Sequence, residues 1–315
     1  MQIIVTNEEA EVEILKAKAF CPIECSIGGK SIVDFLMMDH HGGLSHLESV
    51  AVRAYRDHFG VRRRSPRFVV VGVPDADATF AIASLAGILP HPDKDVSKVP
   101  TYLRSKHTVD WNGLADTIGI IDTDPIGRDI LAMPGGDILL AWNALMAGAP
   151  HNREAAMMGV MLWKQLTSGN PAQIPLILAA RLSEGTRRAN AAKDEVHTIG
   201  RLGFVPESKV FGFDVWYGRD PEHAPDTPKG WKHPVVISRN AATDALTIGC
   251  PNKDVAEKVF GPGGLLNVFP KLDKAIAPGW GGREAIGGGP RGEKFTIEQG
   301  WSAAKVVAEI AVDDF

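Results

Sequence analysis

Seven ionisable side chains fall in three short clusters: Asp39-His40-His41, Asp75 and Asp77 of Pro74-Asp75-Ala76-Asp77, and Asp122 and Asp124 of Asp122-Thr123-Asp124. Carboxylates and imidazoles are ligand types for divalent cations, and bridging carboxylates suit a pair of ions. In an extended segment alternate side chains point the same way, so Asp75 and Asp77 can both reach one ion. A single acid just past a strand is ordinarily a helix N-cap or a turn residue, and that is the plain alternative for Asp75 or Asp122 alone. The triplet at 39–41 is harder to assign to chance, because this composition gives only about 0.02 such triplets.

Each cluster follows an apolar run. Ile32 to Met38 reads as a strand covered on both faces, Phe68 to Val73 as the clearest buried strand, and Ile118 to Ile121 as a third. Ile3 to Val5 reads as an opening strand, with Asn7 capping the helix that follows. Helical stretches from His46 to Phe59 and from Ala78 to Ile88 alternate with these strands, which implies βαβ units and a mainly parallel sheet flanked by helices. In such a sheet the carboxyl ends of the strands share one edge, where ligands sit. Seven ionisable groups converging there would repel one another unless cations neutralised them. A ligand at such an edge contributes little packing, so Asp77 is expected to be replaceable without loss of the fold.

From His151 to about Gly200 the chain is Ala-rich and helical, with a break near Gly169-Asn170-Pro171. After Gly203 the texture changes. Phe211–Tyr217, Pro234–Ser238 and Ala245–Gly249 alternate like half-exposed strands, and Pro221 to Gly230 is a Pro-rich loop. A last strand and a helix from about Trp301 follow the glycine-rich stretch 279–292. The expected organisation is an α/β domain over 1–200 and a smaller α+β domain over 201–315. Gly281, Gly282, Gly287 and Gly288 allow close backbone approach, and with Arg283 and Arg291 they could grip a phosphate. A plain turn between two strands is the alternative.

Composition narrows the function classes. With 38 acids against 34 bases the formal charge is −4, which makes a protein that coats long nucleic acid unsuitable. The run Arg62-Arg63-Arg64 with Arg67 reads as a solvated connection. No apolar run reaches the ~18 residues of a membrane span, and the acidic start is unlike a signal peptide. Cys21, Cys25 and Cys250 form no disulfide framework; Cys21 and Cys25 read as thiols in a packed turn, and a cytoplasmic location is expected. Ser45 and Ser84 lack a nucleophile-elbow pattern. Among His91, His107 and His151, His107 lies near Arg104 and Lys106 and is the preferred further substrate-binding candidate.

Asp39-His40-His41 behind an apolar strand resembles the signature of the DHH phosphoesterase superfamily. Val69 to Ala78, containing Asp75-Ala76-Asp77, resembles that family's Asp-x-Asp motif at a strand end. Gly281-Gly282-Arg283-Glu284-Ala285-Ile286-Gly287-Gly288 is similar to the glycine-rich motif of the DHH-associated domain, with Arg283 in place of the usual histidine. The family places Asp-x-Asp first, so the order here implies a rearranged or permuted first domain. The resemblance implies a metal-dependent phosphoesterase. Asp39, His40, Asp75, Asp77, Asp122 and Asp124 would hold two divalent ions, manganese or else magnesium, that activate a water, with Asp77, His40 and His41 at the catalytic centre. Gly281, Gly282, Arg283, Gly287, Gly288, Arg291 and His107 would contact a small phosphate ester, a nucleotide or a short oligonucleotide, and a homodimer is left open. An inorganic pyrophosphatase or polyphosphatase, or a non-catalytic nucleotide-binding protein, stands as the alternative.

Overall fold

A computed structural model describes residues 1–27, 30–32, 38–40, 47–56, 67–72, 74–90, 109–125, 128–168, 173–290 and 292–311 of the 315-residue chain. It divides into two compact units, 1–123 with 130–182, and 124–129 with 183–315. The division falls inside one helix, ahead of the boundary expected near residue 200.

The first unit is built on three parallel strands, β1 (Gln2–Thr6), β2 (Cys21–Ile23) and β5 (Arg67–Val71), in the order β1-β5-β2. A separate two-strand pair, β3 (Ser26–Ile27) and β4 (Lys30–Ser31), follows β2. The period of two sorts the central strand between faces. Phe68 and Val70 join a core with Ile3, Ile23 and the helices α2 (Val50–Arg56), α3 (Ala76–Leu85) and α4 (Trp111–Thr123). Val69 points the other way, into a small cluster with Val12 and Leu15 of α1 (Glu9–Ala17). This two-sided burial explains the unbroken apolar run of β5. Among the described residues β2 pairs only with β5 in this sheet, and a proline fits such an edge position.

Two further helices, α5 (Gly136–Met146) and α6 (Arg153–Thr167), complete the core. Trp142 and Trp163 stack at 5.1 Å, and Phe80 meets Trp163 edge-on. Their indole N–H groups donate to the Gly159 carbonyl and to Thr79 Oγ1, so both large rings are buried without an orphaned donor.

Several expectations need correction. Ile118 to Ile121 lies within helix α4, not a strand. Leu114, Ala115 and Ile118 recur at helical spacing on its buried face, and Asp110 caps its start through Gly113 N. Asn7 does not cap α1; its Oδ1 accepts from Gly72 N and ties the end of β1 to the end of β5. The run expected as a strand over 32–38 and the Arg62–Arg64 cluster lie largely or wholly outside the described residues.

The second unit carries a mixed six-stranded sheet, β10-β11-β9-β8-β7-β6, from strands β6 (His197–Ile199), β7 (Leu202–Ser208), β8 (Val235–Asn240), β9 (Leu246–Gly249), β10 (Gly281–Gly282) and β11 (Ile286–Gly288). Only β7 and β8 pair in parallel. Helix α7 (Ile174–Ala191) contains the division between the units. Phe211 to Tyr217, expected as a strand, contains the short helix α8 (Phe213–Trp216). Phe213, Trp216 and Tyr217 are buried at the i, i+3, i+4 spacing that only a helix turns to one side. Helices α9 (Lys253–Phe260), α10 (Phe269–Ala275) and α11 (Ile297–Ile310) complete the unit; α11 begins at a Thr296–Gln299 capping box, where a last strand was expected.

One close approach sets the position of α4. A Cβ on Gly119 would lie 2.5 Å from Ser49 Oγ and 2.9 Å from Val52 Cγ2. Gly119→Val should therefore push α4 from α2 and cost about 1–3 kcal/mol, the usual range for overpacking. Urea denaturation of the metal-free protein checks this; unchanged stability would contradict it.

Candidate metal centre

Glu24, His40, Asp77 and Asp122 each offer a ligand atom, and these atoms lie within 4.8 Å of one another. Glu24 follows β2 directly, in a left-handed conformation at φ 49°, which costs a non-glycine residue roughly 1–2 kcal/mol. Its amide donates to the Met38 carbonyl at 2.7 Å, which holds residues 38–40 beside the end of β2. Arg53, buried on α2, donates to the Asp39 carbonyl at 2.7 Å and to the Glu48 carbonyl at 2.8 Å. These bonds fix the backbone that presents His40.

Asp77 sits in the first turn of α3, only 1% exposed. Its two oxygens accept from the Val50 and Ala51 amides at the start of α2, at 3.1 and 2.9 Å. The residue thus joins two helices, which corrects the expectation of a dispensable edge group. Asp122 occupies the last turn of α4, where the helix C-terminus disfavours negative charge. Its side chain is 25% exposed, whereas those of His40 and Asp77 are fully covered, so the cluster opens toward solvent at Asp122.

The geometry centres on one atom. His40 Nε2 lies 3.0 Å from Glu24 Oε1, 3.0 Å from Asp122 Oδ2 and 3.3 Å from Asp77 Oδ2. A ring nitrogen carries at most one proton, so it cannot donate well to three carboxylates at once. Glu24 has the aligned bond, and Asp122 Oδ2 is close yet lacks hydrogen-bond geometry.

The surrounding charges respond. Burial works against a charged His40, but Asp122, Asp77 and Glu24 outweigh it and push its pKa up to about 11. Burial and the charge of Asp75 raise Glu24 well above its usual value. Asp77 is lowered despite burial, because His40 and the Ala51 amide favour its anion. Burial, Asp122 and Asp77 raise Asp75 to about 7. In the metal-free protein the His40 proton is therefore a stabilising charge. Its contribution is complete below the ordinary value of 6.5 and is lost as pH rises through about 11.

One imidazole nitrogen and three carboxylate oxygens at this spacing fit a divalent cation, whose charge would satisfy the acceptors that a single N–H cannot. The set suits a borderline or hard ion such as manganese, magnesium or zinc. His40, Asp77 and Asp122 of the sequence candidates meet here. Asp39 is buried beside them, anchored through its carbonyl, and Asp75 caps α3 through Ala78 N. Asp124 belongs to the second unit, where it pairs with Arg128 at 2.5 Å. Gly281 and Gly282 pair with Gly288 and Gly287 in the β10–β11 hairpin, and the Arg283 amide donates to the Ile286 carbonyl. A Cβ on Gly287 would meet Phe269 at 2.3 Å, so packing alone calls for glycine there. His41, His107 and Arg291 lie outside the described residues.

Sequence reasoning missed Glu24 and Arg53. Glu24 is an acid closing a strand, the same signal as Asp75, but Pro22 disguised Cys21-Pro22-Ile23 as a turn. Cys21 and Cys25 are buried thiols outside any disulfide, with Cys25 Sγ donating to the Val69 carbonyl at 3.4 Å.

No protein-family model, curated protein or solved structure matches the chain.

Metal binding at His40 Nε2 must displace its proton. Calorimetric titration with Mn2+ near neutral pH, repeated in buffers of different ionisation enthalpy, should show release of about one proton or more per ion. Affinity should fall as the pH is lowered. Binding with no proton release would exclude His40 as a ligand.

Proposed function

We propose that this protein is a divalent-metal-dependent phosphoesterase acting on a small phosphate ester, a nucleotide or a short oligonucleotide. The observation that carries the reading is the convergence of Glu24, Asp77 and Asp122 on His40 Nε2. The resemblance of Asp39-His40-His41 and Asp75-Ala76-Asp77 to phosphoesterase motifs supplies the reaction class.

In this reading Glu24, His40, Asp77 and Asp122 hold the ion, manganese or magnesium. A divalent ion polarises a phosphoryl oxygen and lowers the pKa of bound water. Asp122, the most exposed member, marks the side from which substrate approaches. Asp75 is the proton acceptor. One of its oxygens is committed to Ala78 N, which leaves the other to take a proton. It lines a cleft of about 180 Å3 together with Pro74, Trp142, Met146 and Pro150. The apolar wall of that cleft suits the organic part of an ester, which favours this reading over a pyrophosphatase.

One observation favours a second reading. Glu24, His40 and Asp77 are almost wholly buried, and a closed ligand set is typical of a structural ion. A non-catalytic nucleotide-binding protein would keep such a site.

Activity separates the two. With Mn2+ present, the chain should turn over at least one of a chromogenic phosphodiester, a nucleoside 5′-monophosphate or a dinucleotide, and chelation should abolish this. Asp122→Asn should reduce kcat by about 100-fold or more, since even groups one shell further out cost about 10–100-fold. Its circular dichroism should be unchanged. Metal binding with no turnover of any of these, or undiminished activity in Asp122→Asn, would contradict the phosphoesterase reading.

A further inference from the structure

We infer that the loop between α8 and β8 forms a binding site for a small polyanion carrying two or more phosphate groups. The inference does not rest on the metal centre.

Arg201, Arg219, Lys229 and Lys232 line one cleft of about 530 Å3, with Asp220 the only acid among the described residues that line it. Four cations share a small space in a chain whose formal charge is −4. The backbone puts them there. Arg219 bridges Trp231 in an antiparallel pairing, Asp220 N donates to the Gly230 carbonyl, and Lys232 N donates to the Gly218 carbonyl, both at 2.8 Å. Arg219 and Lys232 are thereby carried on two facing segments.

The cations keep their charge. Arg219 donates to the carbonyls of Asp220, Gly230 and His223, and Arg201 to those of Pro228 and Trp231. Carbonyl acceptors orient a guanidinium without neutralising it, and the five donors of Arg219 exceed the three carbonyls it serves. The Arg219 guanidinium also stacks over the Trp231 ring at 5.4 Å. Lys229 and Lys232 are exposed and make no ion pair among the described residues. Asp220 is already engaged by the Glu222 amide and by His223 Nδ1 at 3.0 Å. The two guanidiniums are therefore oriented in advance and the two lysines add mobile positive charge, so a compact polyanion meets a partly ordered, positive cleft.

The loop is also fastened down. Trp231 Nε1 donates to the Pro225 carbonyl, as does Asn252 Nδ2, and Lys258 holds Asp226. A Cβ on Gly230 would strike the Ala224 carbonyl at 2.3 Å, so the turn closes only with glycine. Arg219 occupies the contact with Trp231, leaving charge rather than a free aromatic face as the feature on offer. That favours phosphate groups over stacked bases.

The test is calorimetric titration of sodium tripolyphosphate into the full chain, stripped of metal, at low ionic strength. One equivalent should bind, with affinity falling as salt rises. The double variant Lys229→Glu with Lys232→Glu should weaken binding by about tenfold or more. A control of equal charge change, Lys271→Glu with Lys305→Glu, should stay within about twofold. Thermal unfolding of both variants checks that each is folded. Equal weakening by both, or none from the first, would overturn the site. A single-stranded oligonucleotide that binds tighter than tripolyphosphate and is lost in the same double variant would overturn the choice of ligand.

Discussion

Three carboxylate oxygens crowd one imidazole nitrogen, and the architecture of the first unit is arranged around that demand. A neutral His40 would leave Glu24, Asp77 and Asp122 facing one another in a largely buried space, an arrangement that costs several kcal/mol per unpaired charge. A proton relieves part of the repulsion, and a divalent cation would relieve more. The same constraint accounts for Arg53, a buried guanidinium whose charge favours the neighbouring acids while its donors fix the backbone of Asp39. It also accounts for the left-handed Glu24, held in a costly conformation by its bond to Met38.

Structure and chemistry are coupled most tightly at Asp77. Its two bonds to α2 make it a joint between helices, and its Oδ2 also reaches toward His40. Loss of Asp77 would therefore unseat α2 along with Arg53. Asp122 is the opposite case, exposed enough to exchange partners and carried by a helix whose position depends on the smallness of Gly119. The division between a rigid buried half and an open half gives the centre a defined side for a ligand.

Much of this was legible in the residues, and the losses have physical causes. The β5 run and its succession by α3 were readable because burial on both faces produces an unbroken apolar strand, and because Asp75 is a strong N-cap. Ile118 to Ile121 misled, since four apolar residues look alike in a buried strand and in a buried helix; the helical spacing only emerges once Leu114 and Ala115 are included. Asp122 was thus placed at a strand end when it closes a helix, yet it still reaches His40. Phe211 to Tyr217 misled for a similar reason, as aromatic residues favour strands but here bury at helical spacing. Glu24 escaped because its partners are 16, 53 and 98 positions away in sequence (His40, Asp77 and Asp122), and only tertiary contacts, among them the pairing of β2 with β5 and the bond from Glu24 N to Met38, bring them together.

The central claim is that His40 Nε2 exchanges a proton for a metal ion. Long-range 1H–15N correlation spectra of protein labelled with 15N-histidine test it directly, with Zn2+ as a diamagnetic probe. The account predicts an imidazolium at His40 near neutral pH without metal, assigned by its loss in His40→Gln. On adding Zn2+, that signal should give way to one with a metal-bound, deprotonated Nε2. An imidazolium that persists unchanged at saturating Zn2+ would contradict it.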